Sequence, residues 1–267
     1  MLCAGHNYYR INFVIYLSGF NLADKSMAKY NWYTGKIIKI TDETPAVKRF
    51  FIKIPEVKEF NFLPGQFVIL DPEKKYNLPS REYSIASLPN NTNIIELIIV
   101  LNETGKLTPF LFNKFKTGSK IQVSSALGKF LLPDKIDREL CLICTGVGIA
   151  PLRSMYLFVL RNKILHKKIN LIFGTRKIVN MCYSGEIYQL EKEFPSFHFY
   201  PVLSRETSLE WRGRKGYVHQ IYKELYNDFH PAYFYICGWK NMILEARDNL
   251  LSMGYGRSDI KFELYDK

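Results

Sequence analysis

From Trp32 onward, short apolar and β-branched runs alternate with clusters of turn-forming residues. Runs at 33–41, 47–54, 66–70, 83–86 and 94–101 have strand character. Thr44-Pro45, Pro64-Gly65, Asp71-Pro72 and Pro89-Asn90-Asn91 punctuate them. A brief helix is predicted at 108–115 and another strand at 121–125. Short strands at close spacing with turn signals between them predict a small antiparallel barrel. After Pro133 the period changes. Strands are predicted at 140–144, 169–173, 197–203, 233–237 and 260–264, with helices between them at 149–161, 184–194, 218–226 and 241–253. Strands alternating with helices of that length build a doubly wound parallel sheet covered on both faces. The pattern therefore predicts a β domain over 30–135 and an α/β domain over 136–267, meeting near 133–137.

The segment before the first strand breaks this pattern. Residues 11–20 are apolar but too few to span a bilayer. No small-residue cleavage site follows them, so they do not read as a secretory signal. Met27-Ala28-Lys29 has the look of a natural start. Residues 1–29 are therefore expected to be an extension outside the fold or an over-called start.

Composition narrows the function classes. The 267 residues carry 37 Lys+Arg against 25 Asp+Glu, a formal net charge of +12. Such a balance favours acidic partners. Lys74-Lys75 and Lys167-Lys168 are only pairs, which argues against nucleic acid. The hydrophobic positions, 47% of the chain, are too dispersed for an integral membrane protein. Five scattered cysteines do not form a disulfide framework, and a reducing compartment, the cytoplasm, is expected. Cys141 and Cys144 form a C-x-x-C inside an apolar run and read as structural ahead of redox or zinc chemistry. No metal site is expected. No cysteine spacing matches an iron–sulfur cluster.

The candidate chemistry sits at two turns. Thr145-Gly146-Val147-Gly148 lies between the first strand and first helix of the second half, with Pro151 suited to the first helical turn. Glycines there let the backbone approach a pyrophosphate, and the helix start supplies free N–H groups. The third glycine of G-x-G-x-x-G is missing, so a plain strand–helix turn competes with the binding reading, and the α/β context favours binding. Arg176 follows the next strand, Ser204 and Arg205 the one after it, and Arg214 lies further on. Guanidinium forks suit a 2′-phosphate. No carboxylate ends the second strand to bind a free 2′-hydroxyl, so NADP(H) is expected over NAD(H). In the first half, Arg81 offers a cation for a pyrophosphate, Tyr83 a ring for packing and Ser84 a hydroxyl for flavin N5. Gly105-Lys106-Leu107-Thr108 opens the short helix with free N–H groups for the same pyrophosphate. Each of these has an ordinary structural alternative.

Together, the motifs resemble the ferredoxin–NADP⁺ reductase superfamily over nearly all of residues 30–267. Arg81-Glu82-Tyr83-Ser84-Ile85-Ala86-Ser87 is similar to the family's flavin motif, and residues 145–154 to its nicotinamide-side loop. Ser204-Arg205-Glu206-Thr207 resembles the segment that binds the NADPH 2′-phosphate in bacterial members. Cys237-Gly238 ahead of Met242, and Glu263-Leu264-Tyr265, complete five motifs in the family's order. The resemblance implies an FAD-binding Greek-key barrel followed by an NADP-binding domain. It places Cys237 and Gly238 beside the nicotinamide, makes Glu263 and Ser84 a proton relay to the flavin, and stacks Tyr265 on the flavin, with Asp266-Lys267 extending past it. It implies hydride exchange between NADP(H) and FAD, and single-electron exchange with an acidic ferredoxin or flavodoxin. The alternatives are a reductase for an oxygenase, a haem protein or free flavin, and a non-catalytic flavin-binding subunit of a larger complex.

Overall fold

The computed structural model describes residues 30–72 and 76–265. The N-terminal extension, Lys74-Lys75 and Asp266-Lys267 lie outside the described residues. Trp32–Lys267 forms one compact unit.

The first half holds six antiparallel strands: β1 (Trp32–Thr44), β2 (Val47–Lys53), β3 (Phe67–Asp71), β4 (Arg81–Ser84), β5 (Ile94–Val100) and β6 (Lys120–Ser124), with helix α1 (Leu107–Lys114) between β5 and β6. Their order is β4-β3-β6-β1-β2-β5. The sheet curls until its ends meet: Ile85 bridges Leu97, and the Ala86 N–H donates to the Glu96 carbonyl at 2.8 Å. Closure buries one face of every strand, which supplies an interior of Ile37, Phe50, Ile52, Val68, Leu97 and Val123. β1 runs past the predicted end at 41 through Asp42-Glu43, because Thr44 still registers with Val47 across the hairpin.

The second half is a parallel sheet in the order β10-β9-β8-β7-β11-β12. Its strands are β7 (Glu139–Thr145), β8 (Ile169–Thr175), β9 (Phe197–Leu203), β10 (Arg214–Lys215), β11 (Ala232–Gly238) and β12 (Ile260–Leu264). Helices α2 (Ile149–Arg161) and α3 (Ser184–Glu193) cover one face, α4 (Val218–Leu225) and α5 (Lys240–Ser252) the other. β10 was not foreseen, since two charged residues carry no periodicity. Cys141 and Cys144 are both fully buried, in the cores on opposite faces of β7, as a strand requires. Helix α2 is apolar nearly all round because it packs on the sheet and on the barrel residues Val47, Ala86 and Ile98 together. Strand order reverses between β7 and β11, and beside such a switch point open α/β sheets place their ligands.

Candidate functional site

A cleft of about 1030 Å³ runs between barrel and α/β domain. Its barrel wall includes Arg81, Tyr83, Ser84 and the turn Gly105-Lys106-Leu107-Thr108. Its other wall includes Thr145, Gly146, Gly148, Arg176, Ser204, Arg205, Gly238, Glu263 and Tyr265. Residues predicted from both halves of the sequence thus share one crevice.

Two turns meet at the switch point, and glycine is what lets them. A Cβ on Gly148 would stand 2.4 Å from the Cys237 carbonyl oxygen. Gly238 has φ +136°, and a Cβ there would stand 2.3 Å from Thr145 Oγ1. That same hydroxyl oxygen accepts the Trp239 N–H at 3.0 Å, pinning the β11–α5 turn against the β7–α2 turn. Gly146, at φ +54°, has nothing within 4 Å of its would-be Cβ and faces open cleft. Helix α2 starts there with no side-chain cap and no acidic residue in its first turn. A single helical turn, Gly146–Gly148, precedes it; the Ile149 N–H is bonded to the Gly146 and Val147 carbonyls, so the N–H groups offered to an anion are those of the glycine turn on the cleft wall. Helix α1 likewise begins beside the cleft, its first residues uncapped by any side chain. Two uncapped helix starts and an open glycine cradle fit the pyrophosphates of two dinucleotides.

The predicted catalytic residues converge. Ser84 Oγ donates to Glu263 Oε2 at 3.0 Å, joining β4 to β12. Glu263 is the register partner of Cys237 on β11, which in turn registers with Cys144. Burial pushes the Glu263 carboxyl up to about 7, aided by the Glu82 charge, while the Ser84 bond pulls it back. Burial also holds the Cys237 thiol well above its ordinary range, with the neighbouring Glu263 charge adding to the effect. Tyr83 is pushed up to about 12 by burial, against the pull of the Arg81 cation. All three groups are therefore protonated or proton-sharing near neutral pH. Tyr265 is 37% exposed overall, yet its hydroxyl lies in the pocket of Ser84 and Cys237, where burial raises it well above its ordinary value.

The residues expected from the sequence to select the dinucleotide divide. The Arg205 N–H donates to the Arg176 carbonyl at 2.9 Å, so the two arginines end adjacent strands side by side, and both line the cleft. Ser204 joins them through its N–H to Thr175 at 3.0 Å. Arg214 does not reach the cleft wall. It forms a two-pronged ion pair with Glu224 of α4, one prong 2.8 Å long. Pro151 lies buried in α2 rather than on the wall.

Sequence reasoning missed several lining residues, among them Tyr217, His219 and Trp239. Tyr217 and Trp239 are 67% and 59% exposed, aromatic surface left open on the cleft wall. It also missed the charged network between the two halves. Arg153 is 6% exposed and bonds to the Ala86 carbonyl, Glu96 and Glu186. An arginine within the apolar run Ile149-Ala150-Pro151-Leu152-Arg153-Ser154-Met155-Tyr156 is a legible signal of a buried, paired cation.

A closed antiparallel barrel and a doubly wound parallel sheet, with a shared cleft carrying two anion cradles, define a two-nucleotide oxidoreductase. An oxidoreductase FAD-binding domain model matches residues 34–131 and an oxidoreductase NAD-binding domain model residues 142–248. The chain belongs to the ferredoxin–NADP⁺ reductase superfamily. It is 27% identical to Flavohemoprotein B of Dictyostelium discoideum, over 85% of this chain and 57% of that protein. It is 29% identical to the reductase component of phenol 2-monooxygenase from a Pseudomonas species, over 87% of this chain and 65% of that protein. A ferredoxin NADP+ reductase structure from Neisseria gonorrhoeae, with bound FAD and NADP, superposes with TM-score 0.75 at 26% identity, covering 88% of this chain and 99% of that one. The chain spans about three fifths of the length of the curated relatives it matches. Among the described residues no helix is long and apolar enough to cross a membrane.

Proposed function

We propose that this protein exchanges hydride between NADP(H) and FAD and passes single electrons to a small acidic carrier such as a ferredoxin or flavodoxin. The observation that carries this reading is the Ser84–Glu263–Cys237 convergence at the bottom of a cleft that both halves line. Bound FAD supplies a hydride acceptor that also releases electrons one at a time. Arg81 and the start of α1 hold its phosphates, and Tyr83 packs along it. The start of α2 and Gly146 hold the dinucleotide pyrophosphate. Arg176 and Arg205 favour a 2′-phosphate, which supports NADP(H) over NAD(H). Glu263 keeps a proton at Oε2 or Oε1 near neutral pH and exchanges it through Ser84 Oγ with the cleft. Cys237, neutral and buried, shapes the nicotinamide side without a charge.

The Neisseria gonorrhoeae ferredoxin NADP+ reductase is matched over almost its whole length, which supports a carrier-protein partner. The net charge of +12 supports an acidic one. A second reading, a reductase feeding an oxygenase, is favoured by the similarity to the phenol 2-monooxygenase reductase component. Anaerobic addition of NADPH and of NADH to the purified yellow protein tests the cofactor assignment: faster bleaching by NADPH is expected, and equal or NADH-favoured bleaching refutes it. Cytochrome c reduction that requires added ferredoxin or flavodoxin supports the carrier reading. Reduction that neither carrier stimulates favours the oxygenase reading.

A further inference from the structure

Between the two halves, away from the Ser84–Glu263 contact, lies a buried charged cluster. Tyr183 precedes α3, is 4% exposed, and has φ +56°, a left-handed conformation that a bulky residue adopts only where its surroundings demand it. Two guanidinium groups lie over its ring. Arg153 Cζ of α2 stands 4.2 Å from the ring centroid and Arg49 Cζ of β2 stands 4.9 Å away. Its hydroxyl donates to Glu96 Oε1 at 2.8 Å. The same carboxylate accepts Arg49 Nε at 2.6 Å and Arg153 Nη1 at 3.1 Å. Glu186 takes the other edge of the Arg153 fork, at 2.8 and 2.6 Å, and Glu43 accepts the Tyr183 N–H. No buried side-chain polar atom among the described residues is left without a partner, so every charge in the cluster is answered.

The cluster ties together the elements that carry the two nucleotide cradles. Arg153 Nη1 donates to the Ala86 carbonyl at 2.7 Å, and Ser154 Oγ to the Ser87 carbonyl at 2.8 Å. Ala86 and Ser87 follow closely on the strand that bears Tyr83 and Ser84. Arg153 and Ser154 lie one turn into the helix whose start holds Gly146 and Gly148. Glu96 completes the tie: its carbonyl accepts the Ala86 N–H, and its own N–H donates to Ser87 Oγ at 3.1 Å.

We propose that the Arg49–Tyr183–Arg153 stack, with Glu96 as its shared anion, is a positioning device that fixes the spacing between the flavin-side strand and the nicotinamide-side helix. It sets the approach of the two rings without touching either. This inference rests on the functional reading above. Cation–π stacking and a carboxylate shared by two guanidinium groups are stronger out of water than at a surface, so the cluster holds this geometry where a solvated ion pair would slip. Hydride transfer is steeply sensitive to small misplacement of its partners.

Tyr183→Leu removes the ring and the hydroxyl, and Tyr183→Phe keeps the ring in contact with both guanidiniums. With NADPH in single-turnover experiments, Tyr183→Leu is expected to slow flavin reduction at saturation by about tenfold or more, with the NADPH Kd and the oxidised flavin spectrum unchanged. Tyr183→Phe is expected to recover most of the rate. Hydrogen–deuterium exchange at the Ala86 and Glu96 amides should rise in Tyr183→Leu, and that readout is independent of turnover. If the wild type is reduced by neither nucleotide, the functional reading fails while the exchange result still judges the positioning device. A folded, yellow Tyr183→Leu with unchanged rate and unchanged exchange overturns the inference, as does an equal loss of rate in Tyr183→Phe. Should Tyr183→Leu fail to fold or to retain flavin, Glu96→Gln, nearly the same shape, takes its place and is read the same way.

Discussion

Glu263 gives the most direct quantitative test of the cleft. Its carboxyl is held at about 7, against an ordinary value of 4.5, chiefly by burial. The folded protein therefore binds the proton more tightly than the unfolded chain does. The stability this contributes is present in full below about pH 4.5 and is lost as pH rises through about 7. At about 1.36 kcal/mol per unit of displacement, the loss across this whole window is at most about 3.4 kcal/mol, of which about 2.5 falls between pH 5 and pH 8, an upper bound because Glu263 is only partly shielded from solvent. Glu263→Gln replaces the carboxyl with an amide that never ionises and still accepts from Ser84 Oγ. The assay is urea unfolding of the flavin-free protein at pH 5 and pH 8, for wild type and variant. The difference in stability between them should favour the variant by about 2–3 kcal/mol more at pH 8 than at pH 5. Parallel pH dependences would refute the assigned protonation, and with it the proton held beside Ser84.

The remaining expectations concern binding and shape. Arg205→Ala should raise the KM for NADPH about 10- to 100-fold, the worth of a charge-assisted bond to phosphate, while leaving NADH unchanged. Arg214→Ala should leave both KM values unchanged within error, since Glu224 already occupies that guanidinium, and steady-state kinetics with both nucleotides checks the pair together. Gly148→Ala forces a methyl onto the Cys237 carbonyl, at a cost of about 1–3 kcal/mol in thermal or urea unfolding, and should weaken nicotinamide binding with flavin content intact. Ser84→Ala should slow flavin reduction with FAD still bound, seen by stopped-flow absorbance, and loss of FAD on purification would make that hydroxyl structural instead.

What was legible in the sequence was whatever leaves a local mark. The change of period after Pro133, and the glycine turn with its helix, are signalled within a few residues. So β7, α2 and the cleft wall around Gly146 were found where they stand. The glycine motif read as room for a pyrophosphate, whereas at Gly148 the atom that forbids a side chain belongs to Cys237, far along the chain. What was not legible depends on pairings across long separations. β10 exists only because Arg214 and Lys215 register with Val202 and Leu203. The availability of Arg214 was misjudged because its partner, Glu224, is visible only once α4 folds back. Tyr183 gives no sequence signal at all, since its left-handed backbone and two flanking guanidiniums come from three separate elements.

The two rims of the parallel sheet carry a consequence for behaviour in concentrated solution. One rim is β10, two residues long and composed of Arg214 and Lys215. The other is β12, where Lys261 and Glu263 interrupt the apolar positions and are anchored to the Leu131 carbonyl and to Ser84. A brief cationic rim and a tethered, charge-bearing one give a neighbouring molecule little unpaired backbone to zip against. The antiparallel half, curled shut through Ile85 and Leu97, gives still less. Crowding in the cell should therefore not drive this fold into fibrillar self-association through its strands.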